Sequence, residues 1–183
     1  LFIVQNSKHI KADGKTFKDF INGNIRVIEN QKPSLKDFEI HLATIFTEVR
    51  LKQYIEIRSL DACEWDCHCA GPAFYTGLLY GNLDEAYEII NKWNKSDVMN
   101  AYVEAPEKGL KTIINNKSIL EWSKIFLNLS RNGLIKRNIK NNSEKDESIF
   151  LKSIENTIAN KKTKAEKTID AFKTKKEINF FYE

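Results

Sequence analysis

Between Glu48 and Arg58 the sequence EVRLKQYIEIR alternates polar with mostly apolar side chains. Val49, Leu51, Gln53, Ile55 and Ile57 fall on one parity, and Glu48, Arg50, Lys52, Tyr54, Glu56 and Arg58 on the other. A period of two is that of a β-strand whose side chains point to alternate faces. On such a strand Glu48, Arg50, Glu56 and Arg58 share one face, with neighbours ~6.6 Å apart. Carboxylates in that row suit Mg²⁺, and guanidinium groups suit carboxylate or phosphate, so the face fits a polyanionic ligand neutralised by a divalent ion. A half-buried strand with its polar face in water has the same spacing. Spacing alone leaves the two readings open.

A second cluster follows in Cys63-Glu-Trp-Asp-Cys67-His68-Cys69. Three thiols and an imidazole equal a tetrahedral zinc site in number. Adjacent Cys67, His68 and Cys69 do not converge easily on one ion with Cys63, and no second knuckle occurs elsewhere. The spacing also differs from a C-x-x-C-H haem attachment. An odd, clustered cysteine count is not a secreted disulfide framework, so free thiols in a reducing compartment are expected. No Gly-rich phosphate loop of either common pattern is present.

The elements that would position these groups are readable around them. Leu1 to Val4 is a strand-like run, Asp13-Gly14 a turn, and Phe17, Phe20 and Ile21 fall at helical spacing before Asn22-Gly23-Asn24. Ile25, Val27 and Ile28 suit a short extended piece. Ser34 with Asp37 has capping-box spacing and opens a helix carrying Leu35, Phe38, His41, Leu42 and Ile45 on one face. His41 on that stripe reads as a packed core residue. Ala70 to Tyr80 reads as a buried helix opened by Pro72, with Gly77 implying close approach of another element. Helices are expected over 83–94, 96–103, 118–131, 144–159 and 163–173, with Gly133 as a stop signal. The stripes of Ile119, Trp122, Ile125, Phe126 and Leu129 and of Ile149, Phe150, Ile154 and Ile158 are core.

The class is α+β, with antiparallel strands in the N-terminal third followed by helices; the chain is read as one domain over 1–183, with a strand-containing active-site part (1–81) and a helical part (82–183). Hydrophobic residues make up 42% and charged residues 30% of the 183, and the net charge is +4. Lys and Arg are interleaved with Asp and Glu rather than gathered in a basic stripe, which argues against a nucleic-acid partner. No apolar run approaches the ~20 residues of a membrane-spanning helix. No signal-peptide pattern is present either, so a cytoplasmic protein without membrane association is expected. The chain opens on Leu1 with no lead-in, so it is expected to be a segment of a longer protein.

Residues Pro33 to Tyr80 resemble glutamate–cysteine ligases of the plant and proteobacterial type. The residues in register are His41-Leu42, Thr44-Ile45-Phe46, Glu48 to Lys52, Tyr54, Glu56, Arg58, Asp61, Trp65, Cys69-Ala70, Pro72-Ala73-Phe74 and Gly77 to Tyr80. Phe38, Thr47, Ser59 and Gly71 stand where the family has Trp, Pro, Gly and Leu. None of these departures removes a charged residue. The resemblance is dense over 33–81 and loose beyond it.

The resemblance implies a fold similar to the catalytic part of glutamine synthetase, present here only in part. It implies ATP-dependent ligation of glutamate, through its γ-carboxylate and an acyl phosphate, to cysteine, giving γ-glutamylcysteine for glutathione synthesis. ATP and Mg²⁺ are the implied cofactors. Glutamine synthetase carries a comparable I-E-x-R strand, here Ile55-Glu56-Ile57-Arg58. By that analogy Glu56 is the metal ligand and Arg58 the catalytic clamp on substrate or phosphoryl group; on the same polar face Arg50 is a second catalytic candidate and Glu48 a substrate- or ATP-binding candidate. In plant members a cysteine at the position of Cys69 joins a redox disulfide. Most other ligands would lie outside this segment, so the segment alone is expected to be inactive. The alternative is a non-catalytic helical interaction module.

Overall fold

Helices and three small antiparallel hairpins account for most of residues 2–5, 8–12, 14–28, 31–51, 53–61 and 63–175, which the computed structural model describes. The chain divides into two units, Leu1–Asp61 and Ala62–Glu183. The division falls before the buried helix that opens at Ala70, rather than after it at residue 81.

In the first unit, strand β1 (Phe2–Gln5) pairs with β2 (Lys8–Lys11), Ile3 opposite Ile10 and Val4 opposite His9. The second strand, Lys-His-Ile-Lys, has a single apolar residue and gave no sequence signal. Helix α1 (Phe17–Ile21) starts at Thr16, whose hydroxyl accepts from Asp19 N–H while the Asp19 carboxylate accepts from Thr16 N–H. These elements close on a small core of Ile3, Ala12, Phe20, Ile25 and Ile28. Arg26–Ile28 form a single 3₁₀ turn rather than the expected extended piece. That turn buries both Ile25 and Ile28, which alternate strand geometry would not.

Helix α2 (Leu35–Ala43) begins with the Ser34–Asp37 capping box. His41 is packed, its ring stacked on Phe17 with centroids 4.9 Å apart. Phe38 of the same stripe meets the Phe17 ring with centroids 5.4 Å apart, yet no residue of α2 is buried and Leu35, Phe38 and Leu42 all stay exposed.

The stretch expected as one strand is a hairpin. Strand β3 (Val49–Leu51) turns back as β4 (Ile55–Ile57), with Arg50 directly opposite Glu56. Period two survives the turn because paired positions keep the same parity, so the alternation alone could not reveal the reversal.

In the second unit the main pair is α3 (Ala70–Gly81) against α6 (Ile119–Arg137). Gly77 lies against the backbone of Ser130, and Gly81 against Gly133. Ser130 is fully buried, and its hydroxyl donates to the Phe74 carbonyl at 2.9 Å. Gly133, expected to stop the helix, is inside α6. Its missing side chain serves the helix crossing, and the stop comes at Asn138 in the left-handed conformation (φ 54°).

Two apolar clusters flank this pair. One holds Ala73, Leu127, Leu134, Leu151 and Ile158, and the other holds Leu78, Ala86 and Phe126 with Trp93 and Trp122 packed on them. Helices α4 (Leu83–Ile90) and α5 (Lys95–Lys108) lead to a hairpin of β5 (Ile113–Ile114) and β6 (Lys117–Ser118). Asn115 and Asn116 turn it with φ of 46° and 64°. The helix expected over 144–159 is a 3₁₀ segment, Glu147–Leu151, followed by α7 (Lys152–Asn160); α8 (Lys164–Lys175) follows. Among the described residues no helix is long and apolar enough to cross a membrane.

Candidate active site

The β3–β4 hairpin gathers three of the expected site residues. Arg50 and Glu56 face each other across the strands, and Arg50 Nε and Nη2 both lie 2.8 Å from Glu56 Oε2. Arg58 is two residues from Glu56 on β4's own line, so it shares that face. Its Nη1 is 3.5 Å from Glu56 Oε1. The Arg58 N–H donates to the Glu48 carbonyl at 2.7 Å, which extends the ladder one step beyond the strands. The Arg58 guanidinium also sits over the Phe46 ring, 5.2 Å from its centroid, and Arg50 Nη1 reaches the Ala43 carbonyl at 3.4 Å. Phe46 and the Ala43 carbonyl were not singled out from sequence. Phe46 lies in the Thr44–Phe46 run of the family resemblance, and that run was the available signal.

Burial on this hairpin is the reverse of the usual amphipathic strand. The side chains of Arg50, Glu56 and Arg58 are only 17%, 29% and 28% exposed. On the other parity Val49, Leu51 and Ile55 are exposed, Leu51 at 82%. A charged triad held half-buried while leucine faces outward is not the pattern of a solvated polar face. Beside it a cleft of about 350 Å³ runs between α2 and β3, walled by Glu39, Leu42, Ile45, Val49 and Leu51, with Arg50 contributing the cationic wall.

Glu48 contributes its carbonyl to the ladder, and its side chain is exposed. Glu56, expected as a metal ligand, has one oxygen chelated by Arg50 and the other facing Arg58. A carboxylate engaged by two guanidinium groups does not fit a divalent ion in this arrangement. Among the described residues no group of three or more His, Cys, Asp and Glu side chains is placed to hold one.

The cysteines belong to the second unit. Contrary to the expectation of free thiols, Cys63 and Cys67 form a disulfide. The reason is local: a 3₁₀ turn over Trp65–Cys67 brings their Cα atoms to 6.0 Å, within bridging range. Cys69 is a free, exposed thiol immediately before α3.

The sequence model of glutamate-cysteine ligase family 2 matches residues 8–180. Among known proteins, the chain is 35% identical over 176 residues to glutamate–cysteine ligase A, chloroplastic, of Oryza sativa subsp. indica, covering 95% of this chain and 35% of the rice protein. It is 32% identical over 173 residues to the chloroplastic glutamate–cysteine ligases of Solanum lycopersicum and Arabidopsis thaliana, covering 93% of this chain and 32% of each. The chain thus spans about a third of the length of the curated relatives it matches. These relatives are chloroplastic, which overturns the expectation of a cytoplasmic protein. That expectation rested on targeting signals missing from this stretch, and a stretch matching a third of a relative does not report on the remainder. With a family match over 173 of its 183 residues, the chain belongs to the glutamate–cysteine ligase family.

Proposed function

We propose that this chain supplies part of the active site of an enzyme that joins glutamate to cysteine through the glutamate γ-carboxyl group, in a plastid. The Arg50–Glu56–Arg58 cluster carries this reading: two cations fixed by one carboxylate on a half-buried face, in a chain of this family. In the proposed reaction a γ-carboxylate oxygen attacks the terminal phosphorus of ATP, giving the acyl phosphate and ADP. The cysteine amine then attacks the acyl carbon, phosphate departs, and the amine proton is lost to solvent. Both steps concentrate negative charge, on the transferring phosphoryl oxygens and then on the tetrahedral acyl oxygen. Preorganised guanidinium groups stabilise such charge more than they stabilise the reactants.

Arg58 is assigned to the phosphoryl or acyl oxygens and Arg50 to a substrate carboxylate at the mouth of its cleft. Glu48, exposed at the end of the ladder, is assigned to the amino group of a substrate or to ATP. Glu56 aligns both cations. ATP and Mg²⁺ are the cofactors the family resemblance implies. Glu56 does not fit the ion as it stands, and no step is assigned to a metal at this position. Cys69 remains the candidate redox residue.

A glutamine-synthetase-like sheet agrees with the outward Val49, Leu51 and Ile55, which would pack against the portion of a family-length ligase that this chain does not match. Alone, the 183-residue chain is expected to be inactive. The decisive experiment places this chain in the rice ligase in exchange for the segment it matches, and assays ATP-dependent γ-glutamylcysteine formation. The soluble chimera should be active, and Arg58→Ala and Arg50→Ala should each lower kcat/KM by about a hundredfold or more. Near-unchanged activity in both variants would refute the site. An inactive but folded chimera would favour the interaction-module reading.

A further inference from the structure

The Cys63–Cys67 disulfide is a short-range cross-link. It closes a loop with a sequence separation of only 4, the geometry in which a cross-link restricts the unfolded chain least. Neither cysteine is among the residues that carry the family resemblance, and Cys69 takes no part in the bond. The two sulfurs differ in their surroundings. Cys67 is 7% exposed, whereas Cys63 is half-buried. Lys164, the first residue of α8, directs Nζ to Cys67 Sγ at 3.0 Å, and the same ammonium lies 3.4 Å from Glu64 Oε2. An ammonium beside one sulfur of a disulfide stabilises the thiolate that forms there when the bond opens, and a better-stabilised thiolate leaves faster.

We propose that Cys63–Cys67 is a thiol–disulfide exchange site for a dithiol reductant, with Cys63 Sγ the sulfur attacked and Cys67 the leaving thiolate held by Lys164. One thiolate of the reductant bonds to Cys63 Sγ as the Cys63–Cys67 bond breaks, and the electron pair goes to Cys67. The reductant's second thiol, losing its proton, then attacks its own sulfur in the mixed disulfide and releases Cys63 as a thiolate. The dithiol is oxidised by two electrons to a disulfide, the protein disulfide is reduced by two, and the two protons pass to the protein sulfurs or to solvent. Nothing in this chemistry depends on ligase activity.

The test uses the oxidised 183-residue chain, its one free thiol, Cys69, first blocked with N-ethylmaleimide. Brief treatment with the monothiol 2-mercaptoethanol, an iodoacetamide quench and peptide mass mapping identify the attacked sulfur. The mercaptoethanol adduct is expected on Cys63 and the carbamidomethyl group on Cys67. Reduction by dithiothreitol at fixed pH should slow roughly three- to tenfold in Lys164→Ala and stay within about twofold of the parent in Lys164→Arg. Glu64→Gln, which frees the ammonium from its carboxylate, should keep or raise the rate. A merely structural role gives the opposite sign, because a loosened turn would speed reduction in Lys164→Ala. An adduct on Cys67, an unchanged or faster rate in Lys164→Ala, or free Cys63 and Cys67 in the oxidised chain would each overturn the proposal.

Discussion

Arg50 and Glu56 face each other across the β3–β4 hairpin, both Nε and Nη2 of the arginine 2.8 Å from the same carboxylate oxygen. On one continuous strand these residues would stand ~20 Å apart, so the turn creates the pair. It is also the cross-strand contact on the half-buried face that has most to lose. Glu56→Gln keeps the shape but leaves two guanidinium groups side by side without a counter-charge. The expected cost to the hairpin is about 1–2 kcal/mol, at the lower end for charged hydrogen bonds because the groups keep some solvent contact. Amide exchange reads it directly. The Arg58 N–H that donates to the Glu48 carbonyl should lose protection roughly five- to thirtyfold, while α6 amides stay unchanged. Equal protection at Arg58 in the two proteins would contradict this role for the pair.

What could be read from sequence follows from the range of the signals. Capping boxes at Ser34–Asp37, Ser118–Glu121 and Thr163–Glu166 are complete within four residues, and each shows its reciprocal bonds in the structure. The charged parity of 48–58 is equally local, and it groups Arg50, Glu56 and Arg58 whether the stretch is one strand or a hairpin. Gly133 is ambiguous in sequence because a glycine that ends a helix and a glycine that admits a neighbouring helix look alike until the partner is known. Strand β2 and the Asn115–Asn116 hairpin depend on pairing rather than on apolar runs. The Cys63–Cys67 bond depended on a 3₁₀ turn that no spacing rule announced.

The α3–α6 crossing rests on absent side chains. A Cβ on Gly133 would overlap the Gly77 carbonyl, and a Cβ on Gly77 would overlap the Ser130 carbonyl and hydroxyl. The two carbonyls are backbone atoms in packed helices and cannot move aside as a flexible side chain would. Gly133→Ala should therefore destabilise the second unit by about 2–3 kcal/mol, despite alanine's better helix propensity. Urea unfolding followed by tryptophan fluorescence is suited to this, since Trp65, Trp93 and Trp122 all lie in that unit. A stabilised Gly133→Ala protein would mean that propensity outweighs the overlap.

Leu134 and Leu151 are both fully buried and share one cluster with Ala73, Leu127 and Ile158. Leu151 lies at the end of the 3₁₀ segment leading into α7, so it fastens that connection to α6. Leu151→Ala removes three buried carbons and leaves a cavity walled by helices that cannot collapse into it. The expected loss is about 3 kcal/mol, against under ~1.5 kcal/mol for Leu151→Met, which conserves volume. Tryptophan-detected melting should show a Tm lower by roughly 6–12 °C for the alanine variant. Similar melting points for the two variants would place Leu151 outside the core.

Acid should loosen the helix starts before it affects the cores. The Glu121 carboxylate accepts from the Ser118 hydroxyl at 2.7 Å and from its N–H at 2.8 Å, and these bonds hold its pKa below the ordinary value. Thr163 does the same for Glu166, Thr16 for Asp19, and Ser148 for Asp146. A carboxyl group whose pKa is lower in the folded than in the unfolded state stabilises the fold above its unfolded value. That contribution disappears as pH falls through the folded value. The window therefore opens near the ordinary carboxylate range, about pH 4, and extends below it. Glu121→Gln keeps an acceptor for the Ser118 N–H and removes the titration. Between about pH 5 and pH 3 the Tm of the second unit should fall less steeply in Glu121→Gln than in the parent, the two converging at the acid end. Parallel Tm profiles across that range would show that protonation of Glu121 is not what weakens α6.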